Sequence, residues 1–136
     1  MTRGMVGKRH SQKSRIQMCV VRTNLSRVPK ATARPSLRNL EWAAGFLEGE
    51  GSFSPLDTTG GTVRVRAVQV NPAPLHRLAD FFGGSVKLTT AVAGKRSPIH
   101  YWQVCGARAR GIMLTVYLLM SAKRQSQIRA AFASAR

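Results

Sequence analysis

Acidic residues are scarce in this chain, and their positions give the first indication of its chemistry. The 136 residues include 22 lysines and arginines but only 5 aspartates and glutamates, so the formal net charge is +17. Glu41, Glu48 and Glu50 lie within ten residues of one another, whereas Asp57 and Asp80 stand alone. Carboxylate oxygens are the ligands that Mg²⁺ prefers. The stretch that ends at Glu50 is therefore the best candidate for a divalent-cation site.

Two glycines, Gly45 and Gly49, precede this site at a spacing of four, which places them on one face of a helix. A glycine inside a helix costs about 1 kcal/mol relative to alanine, so a close contact must offset that cost. The chain has one such helix, and we therefore expect its partner to be the same helix of a second subunit. The predicted homodimer interface comprises Ala44, Gly45, Glu48 and Gly49.

Glu48 and Glu50 fall at the predicted C-terminus of this helix, where the helix dipole disfavours negative charge. A divalent cation would remove that penalty. Two helices that cross on a twofold axis would bring two such carboxylates together. This arrangement suits metal-assisted hydrolysis of one phosphodiester on each strand of a duplex.

The charge balance indicates a polyanionic partner, and other patterns exclude competing classes. The longest apolar run, near 111–120, is shorter than the ~20 residues of a membrane span, and the apolar run 18–21 is too short for a signal peptide. We therefore expect an intracellular protein with no membrane partner. Its compartment stays open, and a phage-infected cell, an organelle and the cytoplasm are the alternatives. Cys19 and Cys105 lack CxxC spacing and the histidines are scattered, which predicts neither a zinc site nor a disulfide framework.

The periodicity predicts an α+β domain over residues 36–136, with helices on one face of an antiparallel sheet. Residues 1–35 contain basic and polar residues without acids, and we expect a flexible arm that adds phosphate contacts or is merely solvated. The predicted elements are a helix that ends near 50–51, strands 52–57 and 62–70, a helix 73–82 closed by two glycines, strands 85–91 and 99–105, and a helical segment 107–135 that breaks near Ser121.

The segment Trp42–Phe53 reads WAAGFLEGEGSF, and it resembles the LAGLIDADG motif of homing endonucleases of the single-motif, homodimeric type. Two departures are the alanine at Ala43, where leucine is usual, and the use of glutamate for both acids. The resemblance covers roughly residues 40–131. It implies a Mg²⁺-dependent endonuclease, or hydrolase, that cuts double-stranded DNA as a homodimer, as the intron-encoded or otherwise mobile members of the family do.

The resemblance also implies roles for individual residues. Glu50 falls on the acid that binds the metal, whereas Glu48 falls on the acid that more often supports the helix end. Gln69 matches a polar residue that positions an active-site water. Lys123 fits the basic residue near the scissile phosphate, and Arg124 is the alternative because the register is loose by one residue. The predicted catalytic set is therefore Glu50, Gln69 and Lys123.

In this family the sheet lies in the major groove of DNA, which admits a β-ribbon. Arg64 and Arg66 share one strand face by the two-residue period alone. The predicted DNA-binding residues are Arg64, Arg66, Lys87, Lys95, Arg96, His100 and Arg124.

A second hypothesis keeps this scaffold without cleavage, as a DNA- or RNA-binding regulator or a maturase with intron RNA as its partner. A small ribosomal or nucleoid protein would explain the charge but not the two glycines and the clustered acids. The sequence does not identify the DNA target or show whether cleavage activity is retained. It also leaves open whether the gene lies in an intron, in an intein or on its own, and whether residues 1–35 belong to the mature protein.

Overall fold

The computed structural model describes residues 29–34, 36–56, 61–89 and 98–135. The elements follow the predicted order, and the α+β class is confirmed. A short 3-10 helix, Tyr117–Leu119, separates the last two helices at the predicted break. The elements are α1 (Leu37–Glu50), β1 (Gly51–Leu56), β2 (Thr62–Gln69), α2 (Ala73–Phe82), β3 (Ser85–Thr89), β4 (Ile99–Cys105), α3 (Gly106–Val116) and α4 (Ala122–Ser134).

The four strands form one antiparallel sheet in the order β1-β2-β4-β3. Gly51 pairs with Ala67 across β1 and β2, and Ala67 pairs with Trp102 across β2 and β4. Residues directly opposite one another share a face, so this register assigns each paired residue to one of the two faces of the sheet. One face carries the buried residues Val63, Val65, Ala67, Trp102 and Val104, which pack with the helices in a single core.

The helices contribute residues to this core at the spacing that their sequences predict. Leu75 and Leu78 of α2, and Ile112 and Val116 of α3, are buried as expected. Phe81 and Phe82 are only half-buried, because they lie at the C-terminal end of α2. Leu37 is 69% exposed, because it begins α1 and lies beyond the core.

Two consecutive glycines end α2 as predicted, with φ of 73° at Gly83 and 89° at Gly84. Other residues rarely adopt this left-handed region. The Trp102 indole nitrogen donates a hydrogen bond of 2.9 Å to the carbonyl of Gly83. A Cβ on Gly84 would lie 3.0 Å from that same nitrogen, so the turn also needs glycine for lack of space.

Residues 29–34 fall inside the predicted arm and are bound to the end of α2. The backbone nitrogens of Thr32 and Ala33 both donate to the carbonyl of Asp80, each at 2.9 Å. The Thr32 hydroxyl donates to the Asp80 carboxylate at 3.2 Å, and Arg108 donates to the Pro29 carbonyl at 2.8 Å. Asp80, one of the five acids, therefore anchors this segment. Residues 1–28 lie outside the described residues.

Two further expectations can be compared with the structure. Among the described helices, none combines the length and hydropathy that a membrane span requires. Cys105 at the end of β4 is disulfide-bonded, so the expectation that the cysteines carry no disulfide is wrong at this residue.

Candidate active-site residues and nucleic-acid interface

The sheet face opposite the core is basic. We call Arg64, Arg66 and Lys87 the basic face, since the register places all three on the side away from the buried residues of β2. Arg64 donates to the Ser54 hydroxyl at 3.3 Å, and the Arg66 guanidinium lies 4.8 Å from the centre of the Tyr101 ring. The four strands, as described, contain no acidic residue. No acid of these strands neutralises the three positive charges, so this face can attract a polyanion.

His100 was predicted to join these residues, and the structure places it elsewhere. It pairs with Gln69 and so shares the helix side of the sheet with Trp102, whereas its neighbour Tyr101 lies beneath Arg66. A hydrogen bond of 3.0 Å joins its Nδ1 to the carbonyl of Val70. Side chains along a strand alternate strictly between the two faces of the sheet, so a residue one position away lies on the opposite face. The predicted contacts Lys95 and Arg96 lie outside the described residues.

Gly45 and Gly49 lie on an exposed face of α1. A Cβ built on either residue would meet no atom within 4 Å, so no part of the described chain covers them. Ala44 is only 2% exposed and packs in the chain's own core. Successive helix residues are rotated by about 100°, so the side chain of Ala44 points away from the exposed face of Gly45. A contribution of Ala44 to a contact between subunits stays a prediction.

Glu50 is the last residue of α1, and its side chain is exposed. Among the described residues, no hydrogen bond or ion pair reaches its carboxylate. Gly51 follows it directly and pairs with Ala67, two residues before Gln69. Glu50 and the half-buried Gln69 therefore lie at the same end of the β1-β2 pair. The structure brings these two predicted site residues to one end of the sheet.

Glu48 binds the N-terminus of α4. Its carboxylate accepts hydrogen bonds from the Ser121 hydroxyl at 2.6 Å and from the Ser121 backbone nitrogen at 3.0 Å. These two bonds, with smaller contributions from the charges of Arg124 and Lys123, hold the pKa of Glu48 below its ordinary value. The resemblance implied that Glu48 supports the end of its own helix, whereas its carboxylate binds the start of α4. Its carboxylate is engaged within the chain, although it was predicted at the dimer interface.

Arg124 binds the C-terminus of α1. Its Nε and Nη2 donate to the carbonyl of Glu48 at 2.9 and 2.7 Å, and Nη2 also approaches the carbonyl of Gly49 at 3.4 Å. The guanidinium was predicted as a DNA contact, or as the alternative to Lys123, and it is instead occupied inside the chain. Lys123 is exposed in the first turn of α4.

The contacts of Ser121 and Arg124 were not found from the sequence. Ser121 is the N-cap of α4, and its hydroxyl accepts from the Arg124 nitrogen at 3.4 Å. Serine is one of the residues preferred at a helix N-cap. Its connection to α1 is not encoded in local spacing, because Glu48 and Ser121 lie 73 positions apart.

The described residues of one chain contain no group of three or more histidine, cysteine, aspartate or glutamate side chains that could hold a metal. Mg²⁺ is commonly bound by one or two carboxylates together with waters and substrate phosphates. A single exposed carboxylate at Glu50 is therefore compatible in its chemistry with a magnesium site whose other ligands come from outside the described residues.

Comparison with known proteins supports the fold. No protein-family model matches the chain, and no curated protein matches it. A solved structure of the homing endonuclease I-CvuI, in complex with the I-CreI target in the presence of Mg and with DNA not cleaved, matches with a TM-score of 0.53 at 14% identity. The match covers 71% of this chain and 64% of that one. This chain has the α+β fold of a homing endonuclease.

Proposed function

We propose that this chain is a site-specific, Mg²⁺-dependent DNA endonuclease that acts as a homodimer. The observation that carries the proposal is the position of Glu50. Its carboxylate is exposed and, among the described residues, unpaired, in a chain of net charge +17. It ends the helix whose Gly45 and Gly49 face is open. Two copies that meet on this face would bring two carboxylates to one twofold axis.

The basic face supports duplex DNA as the substrate. Arg64, Arg66 and Lys87 extend across β2 and β3, and their strands contain no acid that would repel phosphate. The B-DNA major groove, about 12 Å wide, accepts such a β-ribbon. Basic side chains here neutralise phosphates and release counterions, while base edges in the groove supply sequence discrimination. The fold neighbour I-CvuI was solved in complex with the I-CreI DNA target, which supports this assignment.

In the proposed reaction, the Glu50 carboxylate would hold a divalent cation at the end of α1. The chemistry supplied there would be stabilisation of the charge on the attacked phosphate and on the leaving oxygen. Gln69, at the same end of the sheet, orients the attacking water. Lys123 places a positive charge beside the scissile phosphate. The products are a staggered break with one cut on each strand.

Incubation with a library of duplex sites tests the proposal, with and without Mg²⁺, for the wild-type chain and for Glu50→Gln. We expect the wild type to cut a subset of sites only with the metal. Glu50→Gln should bind those sites and leave them intact, because the amide keeps the shape of the side chain and loses its charge. A matched control is Glu41→Gln, an exposed acid of the same helix, which should cut as the wild type does.

The second candidate is a DNA- or RNA-binding protein that does not cleave, such as an intron maturase or a regulator. It is favoured by the basic face, which needs no metal to bind nucleic acid. A wild-type chain that binds a site tightly and never nicks it in Mg²⁺ would replace the nuclease with this candidate. Competition between the selected duplex and structured RNA would then identify the preferred ligand.

A further inference from the structure

We propose that Arg124 is a positioning residue, which fixes the end of α1, and with it Glu50, relative to Lys123. This inference rests on the proposed function. It adds a residue that touches neither metal nor DNA, and that the sequence had assigned to DNA binding.

The guanidinium of Arg124 is held on several sides. Its Nε and Nη2 both donate to the Glu48 carbonyl, while Nη1 donates to the Gln127 side chain at 2.9 Å. The last four carbonyls of a helix lack partners within the helix. The Gly51 nitrogen bonds the Leu47 carbonyl, so Arg124 supplies the donors for the next carbonyl along the chain. Its positive charge also suits the negative end of the helix dipole.

In a second set of hydrogen bonds, a side chain of α1 caps the start of α4. The Glu48 carboxylate accepts from the nitrogen and hydroxyl of Ser121, the N-cap residue of α4. A negative charge suits that end of the α4 dipole. Helices α1 and α4 are therefore joined by two oppositely directed caps, which we call the reciprocal cap (Glu48, Ser121 and Arg124).

The reciprocal cap links the two parts of the candidate site. Glu50 follows Glu48 by two residues, and Lys123 immediately precedes Arg124. The two groups come from distant parts of the chain. Their relative position depends on how α1 meets α4, and among the described residues the reciprocal cap is the polar contact between the two helices.

Arginine is required at this position for a geometric reason. Two nitrogens of one rigid fork reach a single carbonyl, and a third is fixed by Gln127. A lysine ammonium carries the same charge as a single point on a flexible stem. Arg124→Lys therefore keeps the electrostatics and removes the fixed geometry.

The test compares the wild type with Arg124→Lys, with Gln127→Ala, which frees one side of the guanidinium, and with the control Arg129→Lys. Arg129 lies on the same helix and donates to the Tyr117 hydroxyl, so the control removes a comparable contact away from the site. The first readout is amide hydrogen exchange at Gly51. The second is cleavage at saturating DNA, with the duplex selected from the library and Mg²⁺ present.

We expect Gly51 to exchange faster in Arg124→Lys and, less so, in Gln127→Ala. A displacement of about 1 Å costs on the order of a hundredfold in rate, so we expect kcat to fall tenfold to a hundredfold, with KM within about twofold of the wild-type value. Arg129→Lys should match the wild type in both readouts.

Unchanged exchange at Gly51 in Arg124→Lys overturns the proposal. Faster exchange with an unchanged kcat also overturns it, because the contact would then be structural only. A wild-type chain that binds DNA and never cuts removes the proposed function instead. In that case the exchange measurement alone decides whether Arg124 holds the end of α1.

Discussion

Glu48 and Arg124 each bind the end of the helix that carries the other. The Glu48 carboxylate accepts two hydrogen bonds at the start of α4, and the Arg124 guanidinium donates two to the Glu48 carbonyl near the end of α1. Each charge opposes the dipole of the helix end that it contacts. The relationship explains how an acid near a helix C-terminus is tolerated in this chain: its carboxylate is bound at the start of another helix.

The first prediction concerns the pH dependence of stability. The pKa of Glu48 lies below its ordinary value of 4.5 in the folded chain. The unfolded chain therefore takes up the proton first as the pH falls. The stability that Glu48 contributes is complete above about pH 4.5 and is lost as the pH falls through the lower, folded pKa.

The measurement is the free energy of unfolding of wild type and Glu48→Gln between pH 7 and pH 3. The variant should be less stable at pH 7, and the difference should narrow below pH 4.5. Glu41→Gln, which removes an exposed acid of the same helix, serves as the control for the loss of one negative charge. A difference that stays constant over the whole range contradicts the assignment of the Ser121 contact to the ionised carboxylate.

The second prediction compares two glycines in opposite settings. Gly45→Ala should stabilise the isolated chain by about 0.5–1 kcal/mol, because alanine favours the helix and a Cβ there meets no atom within 4 Å. Gly84→Ala should destabilise it by about 1–3 kcal/mol, through its φ of +89° and the contacts with Trp102 and Val104. Chemical denaturation at low protein concentration measures both, and the same sign for both variants would contradict the structure.

The third prediction tests whether the open face of α1 joins two subunits. Gly49→Leu should leave the monomer folded, because nothing lies within 4 Å of its Cβ position. The added side chain should separate two packed helices and weaken self-association at least tenfold. Sedimentation equilibrium gives the dissociation constant, and Gly111→Leu on α3, also with open space around its Cβ, is the control. Equal association of both variants would reject the glycine interface.

The fourth prediction concerns salt. Each phosphate that the protein neutralises contributes about 0.9 to the slope of log K against log salt concentration. Lys87→Ala on the basic face should lower that slope by about 0.9 per subunit if Lys87 contacts a phosphate. Arg110→Ala is the control, because Arg110 lies on α3 over the Phe132 ring. Titrations at several salt concentrations give the slopes, and identical slopes for Lys87→Ala and wild type would remove this contact.

Most of the fold could be predicted because local patterns determined it. The bounds of α2 and β4 match the prediction, and two glycines end α2. The two-residue period of β2 predicted that Arg64 and Arg66 share one face. These features depend on neighbouring residues alone.

Ala44, His100 and Arg124 lie in settings that the sequence reading did not place them in, and the reason differs among the three. Ala44 was grouped with Gly45 by similarity of size, although the helix turns it into the core. His100 lies one residue from the face expected for it, and strand spacing tolerates no such shift. Arg124 could not be distinguished from Lys123, because the carbonyls that select an arginine belong to residues 75 and 76 positions away. Sequence spacing carries no information about such partners.

The separation between Glu48 and Ser121 has a consequence for biosynthesis. A ribosome synthesises α1 long before α4, so a nascent chain carries the complete glycine helix with its terminal carbonyls still solvated. The end of that helix becomes fixed only after the last segment leaves the exit tunnel. Truncated translation products that lack α4 would keep the acidic motif and lack the contacts that hold the end of its helix.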